Sequence, residues 1–130
     1  MAKRVIYLDN SATTPLHPEV ARAMTRIGLG VYGNPSSSHA LGEKSLAVMN
    51  ESRVKLAKVI NAKAHEIVFV SGGTEANNLA LHGLAASYPK KKKIIVSAIE
   101  HSSIAELCTL MKRNGYEITE IPVNNEGFIN

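Results

Sequence analysis

Two short stretches hold the residues with the clearest chemical potential. In "VFVSGGTEANNLAL", residues 68 to 81, an apolar run breaks on Gly72-Gly73 and passes through Thr74 into a helix-favouring segment. In "EHSSI", residues 100 to 104, an imidazole and two hydroxyls follow a second apolar run, Ile94 to Ala98. Glycines let a backbone approach an anion closely. The free N–H groups of a first helical turn present the positive end of the dipole, and Thr74 adds a hydroxyl donor. A phosphate cradle is therefore one reading of the corner. A tight strand-to-helix turn is the other, because Gly-Gly-Thr matches neither the dinucleotide fingerprint nor the P-loop. The flat ring of His101 can stack on a cofactor or exchange a proton near neutral pH; it can equally cap or pack the helix that follows it.

These residues need elements to position them. Apolar runs at Ile67 to Val70, Ile94 to Ala98 and Tyr116 to Val123 predict three strands, alternating with helices over 74–87 and 103–114. Short connections between them imply parallel strands with helical crossovers, hence an α/β sheet. In such a sheet the ligand crevice lies at the carboxyl ends of the strands, where both the Gly-Gly-Thr corner and His101 fall. In the second helix Ile104, Leu107, Cys108 and Met111 form an apolar stripe. Ser103 with Glu106 reads as a capping box and Gly115 as the C-terminal cap. Upstream, a helix is expected over 18–27, with Pro18 in its first turn and Gly28 and Gly30 beyond its end. A long helix is expected over 40–61, buried through Leu46, Met49, Leu56 and Ile60, with Glu51, Lys55 and Lys58 outward. A three-stranded parallel sheet leaves two open edges and needs more cover, so the chain reads as the front portion of a larger enzyme.

Composition narrows the function classes. The chain has 130 residues, 45% of them hydrophobic, and a net charge of +4. It contains no apolar run long enough to span a membrane and no signal-like N-terminal core, which leads to the expectation of a soluble, cytoplasmic protein. The run Lys90 to Lys93 has no interleaved aromatic residues and reads as a solvated loop, with no direct nucleic-acid role. A single cysteine, Cys108, excludes an internal disulfide. On the buried stripe it reads as a small hydrophobe. His17, His65 and His82 lack partners at metal-ligand spacing, and no metal site is expected.

The stretches "YLDNSATTP" (7–15), "GNPSSSHALG" (33–42), "VFVSGGTEANNLAL" (68–81) and "EHSSI" (100–104) occur in an order and spacing that resembles the N-terminal part of the NifS/IscS-type cysteine desulfurases. These belong to the class V aminotransferase group of pyridoxal phosphate enzymes. The resemblance implies the large domain of a fold type I, aspartate aminotransferase-like transferase, incomplete as given. Residues 1–15 would form an arm near the active-site mouth and 16–130 the first part of the cofactor-binding domain. It implies pyridoxal 5'-phosphate as cofactor, with Gly73 and Thr74 on its phosphate and His101 stacked on its ring and taking part in proton transfer. Segment 10–14 would lie near the mouth, and 34–39 would shape the entrance and dimer contacts. The substrate implied is L-cysteine, converted to alanine and an enzyme persulfide for iron-sulfur clusters or tRNA thiolation. The implied partners are the remaining C-terminal part, a homodimer mate and an iron-sulfur scaffold or other sulfur acceptor. The lysine that holds the cofactor, the acid facing its ring nitrogen and the persulfide-forming cysteine are implied beyond residue 130, so the chain alone is expected to be inactive. Selenocysteine lyase, cysteine sulfinate desulfinase and a non-catalytic fragment or partner subunit are the alternatives.

Overall fold

The computed structural model describes residues 5–129, and its contacts divide the chain into two units, Met1–Ile67 and Val68–Asn130. Residues 1–4 of the expected arm, and Asn130 after the last turn, lie outside the described residues.

The first unit is built on two helices, α1 (Pro18–Gly30) and α2 (Ala40–Val59). Before them, the Tyr7 hydroxyl lies 2.8 Å from the Asp9 carbonyl and 3.0 Å from that of Thr13, which closes the polar 9–13 segment on itself. α1 starts on Pro18, with His17 Nδ1 accepting the Glu19 N–H at 3.3 Å. It does not stop before Gly28 and Gly30, as the sequence suggests, but runs through both. A helical glycine costs only about 1 kcal/mol, and the Lys44 ammonium donates to the Gly30 carbonyl at 2.9 Å, giving one of the orphaned C-terminal acceptors a partner.

His39 Nδ1 caps α2 by accepting the Gly42 N–H, and Glu43 and Lys58 complement its dipole at the two ends. The helix closes two residues earlier than expected because Asn61 adopts φ 54°, the left-handed conformation asparagine tolerates. The Ala62 N–H then donates to the Ala57 carbonyl at 2.8 Å, in a Schellman-type end. Glu51 and Lys55 pair at 2.6 Å in solvent, as their positions suggest. The buried line of α2 is different from the expected one: Gly42, Ser45 and Ala57 are buried, whereas Leu46, Leu56 and Ile60 are exposed and Met49 is half-buried. The cause at the N-terminal end is the 33–42 loop, which lies so tightly on the first turn that only small residues fit. A Cβ on Gly42 would stand 2.2 Å from the Ser37 carbonyl oxygen, and one on Gly33 2.2 Å from that of Leu41.

The second unit contains α3 (Gly73–Ser87), β1 (Lys93–Ser97), α4 (Ser102–Arg113) and β2 (Glu117–Ile121). β1 and β2 are parallel, in register from Lys93 opposite Glu117 to Ser97 opposite Ile121, with α4 as the crossover. Leu107, Cys108 and Met111 of α4 form the core, and Ile104 is half-buried. Met111 is 1% exposed, and burial of a side chain of that size is worth roughly 1.5–3 kcal/mol. Gly115, at φ 83°, ends α4 as expected: its N–H reaches the Lys112 carbonyl, and the Tyr116 N–H reaches that of Met111. The lysine run is only partly loop. Lys93 belongs to β1 and pairs with Glu117 at 3.0 Å, while Lys92 and Lys91 lie over the rings of Tyr116 and Tyr88. Ile67 to Val70, expected as the first strand, forms no ladder among the described residues. An apolar run becomes a strand only when a neighbour takes its backbone hydrogen bonds, and here Val68 and Phe69 remain 63% and 44% exposed. The sheet therefore has two parallel strands where the sequence suggests three.

Candidate active site

The Gly-Gly-Thr corner opens the second unit's first helix. Gly72 has φ 170° and ψ −179°, an extended backbone open to any residue, so its glycine is not there for the angle. What matters is what a side chain would occupy. A Cβ on Gly72 or Gly73 meets nothing within 4 Å, so the surface beside the first turn is open. α1, α2 and α4 each begin under a histidine imidazole, whereas α3 begins on Gly72 with no side-chain cap. The first-turn N–H groups of Gly73, Thr74 and Glu75 are thus presented at the positive end of a 15-residue helix.

Glu75, the acidic residue of that turn, is engaged by Ser71. Its Oε2 accepts the Ser71 hydroxyl at 2.6 Å and the Ser71 N–H at 2.7 Å, and these bonds hold its carboxyl below the usual range. The carboxylate therefore ties the first turn of α3 to the residue that precedes the corner. Asn78, one turn on, donates its amide to the Thr74 carbonyl at 2.8 Å.

His101 precedes α4 and caps it. Its Nδ1 accepts the Ser103 N–H at 3.1 Å and lies 2.9 Å from Ser103 Oγ. The expected capping box of Ser103 and Glu106 does not form. α4 starts two residues earlier than a Ser103 N-cap requires, so Ser103 occupies the second helical position and its hydroxyl meets the imidazole instead. The same hydroxyl oxygen accepts the Asn77 amide of α3 at 2.8 Å.

Thr74 and His101 line one groove of about 350 Å³, together with Asn78, Ser103, Glu106 and Leu107. Two of the three sequence-derived site residues thus share a cavity, and Gly73 adjoins it through Thr74. Ser103 belongs to the stretch the sequence brings to the crevice edge, whereas Glu106 is a lining residue it did not assign to the groove. Its i, i+3 spacing from Ser103 on one helix face was the available signal, and the capping-box pattern absorbed it.

Cys108 lies outside this groove. At 5% exposure it lines a smaller cavity of about 160 Å³ with Glu100, Lys112 and Glu120. Burial pushes its thiol up from the ordinary value; the carboxylates of Glu100 and Glu120 add to the effect, and Lys112 partly offsets it. It is a protonated core residue at neutral pH, as its place on the stripe suggests.

Among the described residues no helix is long and apolar enough to cross a membrane. The chain is 48% identical over 128 residues to the cysteine desulfurase IscS of Dictyoglomus turgidum, covering 98% of this chain and 32% of that protein. It thus spans about a third of the length of that curated relative. Among solved structures, a NifS-like protein superposes with a TM-score of 0.88 at 33% identity, over 93% of this chain and 34% of the other. SspA in complex with cysteine gives 0.78 at 33% identity, over 85% of this chain and 32% of the other. The α/β fold expected from the sequence is the fold of these neighbours. The sequence profile of aminotransferase class-V proteins matches residues 6–130, nearly all of the chain, and the chain belongs to that family.

Proposed function

We propose that these 130 residues act as part of a pyridoxal phosphate-dependent cysteine desulfurase, with Gly73 and Thr74 at the cofactor phosphate and His101 against its ring. The observation that carries this reading is the single groove shared by Thr74 and His101 beside an uncapped helix N-terminus. The residues fit such a group. The open side of Gly72 and Gly73 gives a phosphate access to the first-turn N–H groups and the Thr74 hydroxyl, and the carboxylate of that same turn, Glu75, is tied to Ser71. With Nδ1 engaged by Ser103, Nε2 is the imidazole nitrogen left to give or take a proton.

When bound, pyridoxal phosphate supplies the electron sink for chemistry at the amino acid. In the overall reaction an enzyme thiolate attacks the sulfur of L-cysteine and the Cβ–S bond breaks. The electron pair goes to carbon, which is protonated, leaving alanine and an enzyme persulfide. A structural neighbour described in complex with cysteine supports that substrate. The persulfide sulfur would pass to an acceptor in iron-sulfur assembly or tRNA thiolation, and the working enzyme would be a homodimer.

The test is alanine release by the pyridoxal phosphate-loaded enzyme containing this chain, with L-cysteine, selenocysteine and cysteine sulfinate offered in parallel. Preference for cysteine supports the reading. Preference for another substrate replaces it with the corresponding lyase. Full turnover in both Thr74→Ala and His101→Ala would overturn the site.

A further inference from the structure

Three histidines cap helices in this chain, and one is held differently. His17 Nδ1 accepts one backbone N–H at 3.3 Å, and His39 Nδ1 accepts one at 3.3 Å. His101 Nδ1 takes a backbone N–H at 3.1 Å and also has the Ser103 hydroxyl at 2.9 Å. That hydroxyl is reached from the far side by the Asn77 amide, 26 residues earlier in the chain and on a different helix.

Donor chemistry fixes the direction of this chain of bonds. The Asn77 Nδ2 group can only donate, so Ser103 Oγ accepts from it and keeps its own proton to give away. The Ser103 N–H can also only donate, so Nδ1 carries no proton and is the acceptor for the hydroxyl. Both Asn77 and Ser103 are half-buried, where water competes less for such bonds.

We infer that Asn77 and Ser103 are positioning residues for His101: the amide orients the hydroxyl, and the hydroxyl holds the ring through Nδ1 in the tautomer with its proton on Nε2. The link joins the second turn of α3 to the first turn of α4, so it also fixes the ring of His101 relative to the helix that carries Thr74. Neither residue needs to touch a ligand for this role. In catalysis it rests on the desulfurase reading, but the hydrogen-bond chain itself does not.

The decisive measurement is imidazole ¹⁵N NMR of the full chain labelled at histidine, with His17 and His39 as internal references. The Nδ1 signal of His101 should be displaced from those of the other two caps. Ser103→Ala should remove the displacement, Ser103→Thr should keep it, and Asn77→Ala should reduce it while His17 and His39 stay unchanged. Unaltered His101 signals in Ser103→Ala overturn the inference; if that variant does not fold, unaltered signals in Asn77→Ala do so. In the pyridoxal phosphate-loaded enzyme, Ser103→Ala should lower kcat roughly fivefold, the factor one hydrogen bond of ordinary net strength is worth, with KM little changed and threonine restoring it. Wild-type kcat in Ser103→Ala removes the catalytic part of the inference. An enzyme that turns over no cysteine in any form refutes the desulfurase reading and leaves the NMR result to stand alone.

Discussion

Two pairs of glycines serve opposite ends in this molecule. At Gly33 and Gly42 the backbone of another segment fills the space a side chain would take, with carbonyl oxygens 2.2 Å from the Cβ position. At Gly72 and Gly73 that space is empty to 4 Å. The first pair lets chain pack on chain and closes the 33–42 loop onto α2. The second keeps chain away and leaves the start of α3 open. Glycine in a motif therefore has two meanings, and only what lies beyond the Cβ position separates them.

The comparison breaks most visibly through stability. Gly42→Ala should destabilise the first unit by about 3 kcal/mol, because the atoms it meets are the backbone of Ser37 and Asn34 and cannot rotate aside. Gly73→Ala, placed in open space, should leave the unfolding free energy from denaturant titration within about 0.5 kcal/mol of wild type. Equal losses in the two variants would erase the distinction. Next in size is His101→Ala in the loaded enzyme. Turnover should fall on the order of a hundredfold, while the lost cap costs stability by only about 1 kcal/mol. A loss of stability without a loss of rate would make His101 a cap and nothing more.

Thr74→Ala and Gly73→Ala sharpen the open side of the comparison. Both should speed release of pyridoxal phosphate on dialysis, by roughly tenfold for Thr74→Ala if its hydroxyl makes one charge-assisted bond to the phosphate. Gly42→Ala enzyme that still folds should retain the cofactor as wild type does. The smallest effect concerns Glu75. Its bonds to Ser71 hold its folded-state pKa below the ordinary glutamate value, so they contribute stability above that value, and the contribution is lost as pH falls through the depressed one. Glu75→Gln should therefore flatten the acid limb of stability against pH by lowering stability at neutral pH, while stability below the depressed value stays nearly unchanged. An unaltered acid limb would mean that Glu75 does not tie the turn to Ser71.

Local chemistry was the readable part of the sequence. α4 was legible because a stripe at helical spacing and a glycine cap agreed, and all of Leu107, Cys108, Met111 and Gly115 behave accordingly. That Thr74 and His101 would share a groove was legible because each opens or precedes a helix of one strand-helix alternation, although the run before Thr74 pairs with no strand among the described residues. The misses share a cause. Ile67 to Val70 lacks a neighbouring strand, the small residues of α2 are buried by a loop, and Ser103 turns to a ring rather than to Glu106. Each depends on a partner distant in the chain or on a two-residue shift in a helix cap, and periodicity carries neither.

Cys108 has a consequence for any protein that carries sulfur as a persulfide. Sulfane sulfur moves to whatever thiolate can reach it, so a second reactive cysteine would divert the cargo or trap it as a disulfide. Burial at 5% exposure and two flanking carboxylates keep this thiol neutral and out of reach. The core of the second unit thus contains a thiol that neither ionises at neutral pH nor meets solvent, and it stays outside thiol–disulfide exchange.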